Sequence, residues 1–293
     1  MKRRDFLKAT LSTLLASQLP SRLMAQSGQP VVAVAEGTDH AAVTRRAVAA
    51  LGGMKVVVKP GNTVVVKPNI GWDRKPEYAA NTNPVVIKAV IEECLAAGAK
   101  KVKIFDNTCA DPRRCYENSG IPAILKGMKN VEVKHVENER FKKTTLNGRF
   151  LKDWPLYDEA LAADVFINVP IAKHHSLTGL TLGLKNLMGI MGENRGHIHR
   201  SIEDALADVN SRVKSHLVII DATRVLTAHG PQGGSLKDVK VLNKVIASRD
   251  IVAADAYATT LFGMNPRDLS TTVTAHKRGL GEMDLNKIKV IKA

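Results

Sequence analysis

The sequence has few of the residues from which several common classes of site are built. Aromatic residues make up 4% of its 293 positions, and its three cysteines include no C-x-x-C pair. Without such a pair, an iron–sulfur cluster or a zinc ribbon lacks its ligand set. The patterns G-x-S-x-G, G-x-x-x-x-G-K-[ST] and G-x-G-x-x-G are also absent. These absences argue against serine hydrolysis, nucleotide hydrolysis and standard dinucleotide binding.

Acidic residues are also scarce relative to basic ones. The chain has 43 Lys and Arg against 28 Asp and Glu, a formal net charge of +15. Such a balance suits nucleic acid, anionic lipid or an acidic small molecule as a partner. Because aromatic residues and long Lys/Arg runs are both lacking, we expect no nucleic-acid partner. A diffuse solvated basic surface, anionic lipid and an acidic small-molecule ligand remain as explanations.

No apolar run is long enough to form a stable membrane span. The longest candidate, residues 9–19, is rich in Ser and Thr, and a spanning helix needs about 20 apolar residues. It follows Arg3-Arg4 and precedes a small-residue exit near Ala25, which is the pattern of a twin-arginine export signal. We predict a signal peptide over residues 1–25 and a mature α/β domain over residues 26–293.

That signal predicts a protein that engages the twin-arginine translocase and resides in the periplasm or is otherwise exported. The signal resembles those of the twin-arginine pathway, which transports folded proteins, often with a cofactor already bound. Removal of residues 1–25 leaves a net charge of +11, so the mature chain stays basic. In an oxidising compartment, Cys109 and Cys115 form either a short disulfide loop or two free thiols.

Strand and helix patterns alternate along the mature chain, which predicts an α/β fold with a mostly parallel sheet and helices on both faces. The length allows one large domain or two lobes. Asn147-Gly148 predicts one antiparallel β-hairpin edge between residues 144–146 and 149–151. The predicted strands are 31–35, 63–67, 101–105, 131–136, 164–169, 216–221 and 240–247, and the predicted helices are 41–51, 84–97, 121–128, 202–213 and 251–262.

Four of these strands run into polar sequences at their carboxyl ends. The sequences are Pro-Asn-Ile-Gly at 68–71, Asp-Asn-Thr at 106–108, Pro-Ile-Ala-Lys-His-His at 170–175 and Asp-Ala-Thr-Arg at 221–224. In open α/β sheets, ligands bind beyond the carboxyl ends of the strands. We therefore expect lysine, histidine, aspartate and asparagine side chains from these segments to surround one crevice.

Residues 173–191 mix charge with glycine where a core would be neutral. Lys173 and Lys185 are compact cations that can bind a carboxylate or phosphate, or react as desolvated amines. His175 can shuttle a proton near neutral pH. His197 and His199 follow as an H-x-H pair, which on an extended chain could place both imidazoles on one metal ion. A solvated surface pair is the alternative for these two histidines.

The chain resembles the family called domain of unknown function 362 (DUF362) over nearly its whole mature length. The resemblance rests on Val66-Lys67-Pro68-Asn69, the Asn81-Thr82-Asn83-Pro84 start of a helix, residues 169–175, the run 178–189 and residues 248–255. Many members of the family are exported by the twin-arginine route or joined to ferredoxin modules, which implies a redox partner. The family name supplies no reaction.

The chain is also distantly similar to lactate racemases of the nickel-pincer class. In those enzymes a histidine precedes a glycine-rich turn and a lysine, and His175 and Lys185 have the same separation here. The resemblance implies that Lys185 anchors a nickel-pincer-like cofactor, that His175 is the acid/base, and that His197 or His199 ligates the metal. Leu182-Gly183 and Met188-Gly189 stand where that family has Gly-Gly and Pro-Gly, and a second catalytic histidine is missing from the first lobe.

Three hypotheses follow for the crevice. In the first, it binds an anionic small molecule or a metal or organometallic cofactor and supports proton or hydride transfer next to a carboxylate, with His175 as base. In the second, the same crevice belongs to a non-catalytic periplasmic binding or assembly protein for a metal, a cofactor or a redox partner. In the third, its charged groups only close the fold. The candidate catalytic residues are His175 and Lys185, the candidate cofactor-binding residues are Lys67, Asn69, Asp106, Lys173, Thr178 and Asn186, and the candidate metal ligands are His197 and His199.

Overall fold

The structure, a computed structural model, describes residues 28–293, so the predicted signal peptide lies outside the described residues. The strands are β1 (Val31–Glu36), β2 (Thr63–Pro68), β3 (Lys101–Ile104), β4 (Val131–Val133), β5 (Phe141–Thr145), β6 (Asp153–Tyr157), β7 (Val165–Val169), β8 (Ile171–His175), β9 (Gly179–Thr181), β10 (Leu217–Leu226), β11 (Val239–Ser248) and β12 (Lys289–Lys292). The α-helices are α1 (His40–Ala49), α2 (Pro84–Ala96), α3 (Pro112–Ser119), α4 (Ile121–Leu125), α5 (Asp158–Ala162), α6 (Gly183–Asn186), α7 (Ile202–Arg212), α8 (Ile251–Thr259) and α9 (Ser270–Lys277).

The central element is a mostly parallel sheet in the order β12-β1-β11-β10-β7-β2-β3-β4, with β8 and β9 continuing beside β10. Strand β11 runs antiparallel to both β1 and β10, and β9 runs antiparallel to β8. The run β10-β7-β2-β3-β4 is parallel throughout. Its strands therefore present their carboxyl ends at one edge, as the sequence predicts.

Helices cover both faces of the sheet, and the side-chain alternation of β2 shows how. Val64 and Val66 pack in the same core cluster as α1 and α2, whereas Val65 points to the opposite core with Leu206 of α7. Because the side-chain period of a strand is two residues, Lys67 follows Val65 onto the α7 face. A charged side chain thus enters an otherwise apolar layer at the end of the strand.

Strand β10 is longer than predicted, and this changes the place of Asp221. The strand continues to Leu226, so Asp221 lies in its middle and not at its end. The carboxylate is buried and accepts hydrogen bonds from the amides of Asn83, at 2.7 Å, and Thr223, at 2.9 Å. Asp221 therefore fixes the start of α2 and is absent from the crevice.

The predicted antiparallel hairpin is present as a separate two-stranded sheet, but its strands lie farther from Asn147-Gly148 than expected. Strand β5 pairs with β6 from Phe141 opposite Tyr157 to Thr145 opposite Asp153. The carboxylate of Asp208 accepts hydrogen bonds from the amides of residues 149, 150 and 151 at 2.7–2.9 Å. Those amides are consequently withdrawn from strand pairing, and the turn is wider.

Residues 170–175 were expected as a polar segment after a strand, and Ile171–His175 of this segment instead form β8. This strand pairs with β10 and forms an antiparallel pair with β9, with Lys173 opposite Thr181. Lys173 and His175 are two positions apart, so they share one face of the strand. Cys109 and Cys115 are free thiols, the first exposed and the second buried.

Candidate functional site

A cavity of about 290 Å³ lies at the carboxyl ends of β2, β3 and β8 and is also lined by residues of the segment from β9 to His199. Most of the residues singled out from the sequence line it. The lining residues that were predicted are Lys67, Asn69, Asp106, Lys173, His175, Lys185, Asn186 and His199. Thr178 and His197 do not line the cavity, and Thr178 donates instead to the carbonyl of Leu180, at 3.2 Å.

Lys67 is held as a buried ion pair with Asp106. Its Nζ lies 2.7 Å from Asp106 Oδ1 and also donates to the carbonyl of Pro68, at 2.7 Å, and to Asn186 Oδ1, at 3.0 Å. Both side chains of the pair are at most 2% exposed. Burial lowers the pKa of Lys67 below its usual value, and Asp106 offsets part of that shift. With all three N–H groups engaged, Lys67 builds the cavity wall.

Gly189 lies against this ion pair. A Cβ at that position would overlap Asp106 Oδ1 and Lys67 Nζ, so the glycine permits a close approach that no other residue allows. The amide of Asn107 also donates to the carbonyl of Gly189, at 2.9 Å. The end of β3 and the short 3₁₀ helix Leu187–Ile190 are thereby joined at the cavity wall.

A chain of amide side chains connects the strand ends behind the cavity. Asn186 Oδ1 accepts from Asn69 Nδ2, at 3.0 Å, and Asn186 Nδ2 donates to Asn168 Oδ1, at 2.8 Å. Asn168 Nδ2 in turn donates to the carbonyl of Gly183, at 2.9 Å. These hydrogen bonds hold α6 against the ends of β2 and β7. They therefore also fix the backbone position of Lys185, which lies in α6.

Asp255 fixes the start of α6 from the other side. Its two carboxylate oxygens accept from the amides of Gly183, at 2.7 Å, and Leu184, at 2.9 Å. A Cβ on Gly183 would come to 2.8 Å from Asp255 Oδ1, which explains the glycine. Burial raises the pKa of Asp255 to about 7. Asp250 is the N-cap of α8, where its side chain accepts hydrogen bonds from the amides of Val252 and Ala253.

Lys173 is fully buried and has no carboxylate among its hydrogen-bond partners. Its Nζ donates to the carbonyl of Ala80, at 2.6 Å, and to Asn69 Oδ1, at 3.1 Å. Burial lowers its pKa to about 7, and the nearby Lys185 lowers it further while Cys109 opposes the shift. An ammonium has three N–H donors, so one N–H of the protonated form has no partner among the described residues.

Lys185 has weaker partners still. Its Nζ lies 3.1 Å from the thioether sulfur of Met188 and 3.4 Å from His199 Nε2. The residue is 8% exposed, and burial lowers its pKa to about 8. Neither partner is an oxygen acceptor, so the ammonium form of Lys185 is poorly stabilised.

The two histidines of the cavity have different proton positions. His175 Nδ1 accepts from the amide of Leu177, at 3.1 Å, which leaves the proton of the neutral ring on Nε2. His199 Nδ1 lies 3.0 Å from the carbonyl of Gly196, which can only accept, so its proton is on Nδ1 and its Nε2 carries a lone pair. The rings stack with centroids 5.9 Å apart. Burial and the charge of Lys185 lower the pKa of both rings, that of His175 to about 3.

The H-x-H segment is a 3₁₀ helix, Arg195–Ser201, and not the extended chain on which the metal-pair hypothesis relied. His199 enters the cavity, whereas His197 is exposed and lies 3.1 Å from Asn194. Within residues 28–293, no group of three or more His, Cys, Asp or Glu side chains is arranged to hold a metal ion. The segment therefore contributes one imidazole to the cavity.

Some cavity residues were not singled out as site residues from the sequence. The main ones are Arg195, Cys109, Met188 and Trp72. Arg195 donates to the carbonyls of Met188, Asn107 and Thr108 at 2.6–2.9 Å and so braces the cavity rim. Only the two histidines of residues 195–199 were predicted as site residues. An arginine next to them also indicates a site.

Charge within the cavity is strongly biased. Among the described residues that line it, Asp106 is the one carboxylate, and it is paired with Lys67. Lys173, Lys185 and the Arg195 guanidinium remain without an acidic partner in the cavity. A site of this kind attracts an anion, because a negative group would restore the interactions that the ammonium groups lost on burial.

Comparisons with known proteins identify the family but supply no reaction. A family model described as a domain of unknown function (DUF362) matches residues 64–260, a range that contains all the lining residues of the cavity. A thylakoid-associated protein of Synechocystis sp. is 29% identical over 238 residues, which are 78% of this chain and 72% of that protein.

Two solved structures share parts of the fold at low identity. The lactate racemase apoprotein of Thermoanaerobacterium thermosaccharolyticum has a TM-score of 0.49 and 12% identity, covering 80% of this chain and 57% of its own. A protein from Thermotoga maritima has a TM-score of 0.44 and 13% identity, covering 78% of this chain and 60% of its own. The chain spans less than two thirds of the length of either.

Proposed function

The chain belongs to the DUF362 family, whose description assigns no reaction, and we propose from the cavity itself that the protein binds a small anionic molecule. The observation that supports this proposal is the burial of two ammonium groups, those of Lys173 and Lys185, in one cavity without a carboxylate partner. Burial of an unpaired cation is costly, and a bound anion offsets that cost. The cavity volume of about 290 Å³ suits a metabolite-sized ligand.

The geometry favours a carboxylate as the anion. Lys173 offers an unused N–H, and the neutral His175 ring offers Nε2–H from the same strand face. Two donors with different charge suit a planar acceptor with two oxygens. The same two donors place the neighbouring carbon of such a ligand toward Lys185 and His199, where an acid and a base could act on it.

Calorimetry with oxalate, pyruvate and phosphate tests the proposal. We expect one carboxylate site per chain, with binding coupled to proton uptake near pH 8 because an anion raises the pKa of both lysines. Lys173→Met and Lys185→Met should each weaken oxalate binding by about tenfold or more. Lys100→Met is the matched control, since Lys100 is exposed. Absence of binding by any probe, or binding unaffected by both cavity variants, would refute the proposal.

A covalently anchored cofactor is a second candidate for the same cavity, favoured by the contact between Lys185 Nζ and His199 Nε2. The donor set fits a nickel-pincer-like group, because Lys185 offers an amine for attachment and His199 a lone pair for the metal. Such a group would supply hydride-transfer chemistry beside the carboxylate. Intact-mass and nickel analysis of protein from its native host tests this candidate, and a chain of unmodified mass without nickel contradicts it.

We also propose that residues 1–25 direct the mature domain, residues 26–293, through the twin-arginine translocase. Arg3-Arg4 and the short apolar run support this destination. No helix within residues 28–293 has the length and hydrophobicity needed to cross a bilayer. Cell fractionation of the Arg3→Lys, Arg4→Lys variant tests the proposal, and unchanged export would contradict it.

If no turnover is found, a non-catalytic assembly role toward a cofactor or a redox partner fits the same cavity.

A further inference from the structure

The three buried lysines of the cavity differ in the acceptors around them. Lys67 has three oxygen acceptors, one of them a carboxylate, and Lys173 has two neutral oxygens. Lys185 has a thioether sulfur and an imidazole nitrogen. Since oxygen acceptors stabilise the ammonium form best, these partners favour the neutral amine more at Lys185 than at Lys173. Burial lowers the pKa of Lys185 to about 8 and that of Lys173 to about 7, so the choice of Lys185 rests on its partners and on the imidazole beside it.

His199 is arranged to take the proton that Lys185 must lose before it can react. Its Nδ1 is engaged by the Gly196 carbonyl at 3.0 Å, and its Nε2 lone pair lies 3.4 Å from Lys185 Nζ. A base within hydrogen-bond reach of an amine is the general arrangement of an activated nucleophile. The other hydrogen-bond partner of Lys185 Nζ is the thioether of Met188, which takes no proton.

Resting on the proposed function, we propose that Lys185 forms an imine with the carbonyl group of a small 2-oxo acid whose carboxylate is bound by Lys173. Lys185 first passes a proton to His199 Nε2. Its lone pair then forms the N–C bond, and the carbonyl π electrons move to oxygen, which takes a proton from the attacking nitrogen. The hydroxyl leaves as water with the proton held on His199. The products are a protonated imine and one water, with no net oxidation.

His175 lies beside Lys173, on the carboxylate side of the ligand. Its Nε2–H is a neutral donor, and burial together with nearby cations keeps it so by lowering its pKa to about 3. A donor of this kind binds a carboxylate oxygen without giving up its proton. Proton transfer therefore falls on His199, and His175 positions the ligand.

Reductive trapping of the purified protein with pyruvate and sodium cyanoborohydride tests the inference. The expected product is one adduct per chain, with a mass gain equal to pyruvate less one oxygen atom, on the peptide that contains Lys185. Lys185→Arg should abolish this adduct, and Lys185→Met serves as a second variant if the arginine disturbs folding. Lys100→Arg, at an exposed site, should leave the adduct unchanged. Methyl pyruvate, which keeps the 2-oxo group but lacks the carboxylate charge, should label Lys185 at least about tenfold more slowly.

The outcomes separate this inference from the proposed function. Oxalate binding without a pyruvate adduct leaves the anion site in place and overturns the imine. Adducts spread over surface lysines, or an adduct that survives Lys185→Arg, also overturn it. An untreated chain that already has a group on Lys185 overturns it in favour of the cofactor. Absence of both oxalate binding and the adduct overturns both proposals together.

Discussion

Two clusters of basic side chains lie on the same side of the sheet, and they differ in whether an acidic side chain balances their charge. In the first, Lys103, Lys134 and Arg140 converge on Glu159 Oε1 at 3.1, 2.9 and 2.6 Å. Burial raises the pKa of Glu159, but hydrogen bonds from these three cations more than compensate and leave it lowered. In the cavity, Lys173 and Lys185 converge without any such carboxylate. The first cluster is complete within the chain, whereas the second lacks its counter-charge.

The comparison teaches that buried cations alone do not mark a binding site. The cations around Glu159 are 20–28% exposed and share one acid, so the fold gains from them. Lys173 and Lys185 are at most 8% exposed, and the charge of Lys185 lowers the pKa of Lys173. A missing acid partner, more than the presence of lysine, distinguishes a ligand site from a structural network.

Removal of the one acid in the cavity should have the largest effect. Asp106→Asn leaves the Lys67 ammonium buried without its charge partner, and we expect a loss of about 3–5 kcal/mol in the free energy of unfolding. Denaturant unfolding measures this. Asp153→Asn is the control, because Asp153 is 48% exposed in its ion pair with Lys143, and should change stability by less than about 1 kcal/mol. Equal effects of the two changes would erase the distinction between the clusters.

The unpaired lysines should reverse the usual effect of alkali on stability. Lys173 and Lys185 have pKa values of about 7 and 8 when folded, below the value of 10.5 when unfolded. Between pH 8 and 9.5 the unfolded chain therefore binds more protons, and stability rises with pH by up to about 1.4 kcal/mol per unit for each lysine. Oxalate affinity should fall over the same range. Unfolding curves at several pH values check this.

Lys173→Met and Lys185→Met together should flatten that pH dependence without destabilising the protein. A dependence that persists in the double variant would assign it to other groups.

The acid of the complete cluster should matter less, and only to the fold. Glu159→Gln keeps one oxygen acceptor but removes the charge that three partly exposed cations share, so we expect a loss of about 1–2 kcal/mol in stability. Oxalate binding should not change. Parallel denaturation and calorimetry give both quantities, and weakened oxalate binding would show that the two clusters are coupled.

The smallest effect should come from His197. His197→Ala removes an exposed ring outside the cavity, and we expect changes in stability within about 0.5 kcal/mol and unchanged oxalate binding. His199→Ala is the informative counterpart, because it removes the imidazole beside Lys185. Calorimetric titration with nickel of both variants also tests the predicted metal pair, since equal losses of nickel binding would restore His197 to the site.

The sheet was predicted well because its strands are continuous valine-rich runs, which are typical of strands buried on both faces. The placement of Lys67, His175 and Lys185 in one cavity was also predicted, because the rule that ligands bind at strand ends depends only on parallel strand topology. The length of β10 was not predicted, because an aspartate after an apolar strand usually indicates a turn. In the structure, Asp221 instead stays within the strand and accepts a hydrogen bond from the amide of Asn83. The role of Arg195 was missed because its partners are backbone carbonyls, which leave no trace in a sequence.

The imidazole proton positions were equally out of reach. They depend on the Leu177 amide and the Gly196 carbonyl, whose directions arise from local backbone geometry. Sequence position suggested His175 as the base, whereas the free lone pair belongs to His199. The role of His175 stays a prediction.

The contact of Gly189 with the Lys67–Asp106 pair constrains how this protein can change over time. A side chain at position 189 cannot be accepted while the pair is present, and loss of either charge alone leaves the other stranded. Single substitutions in this wall should therefore destabilise the fold, and a stable replacement needs changes at several positions together. We therefore expect this wall of the cavity to tolerate fewer substitutions than the residues on the opposite side.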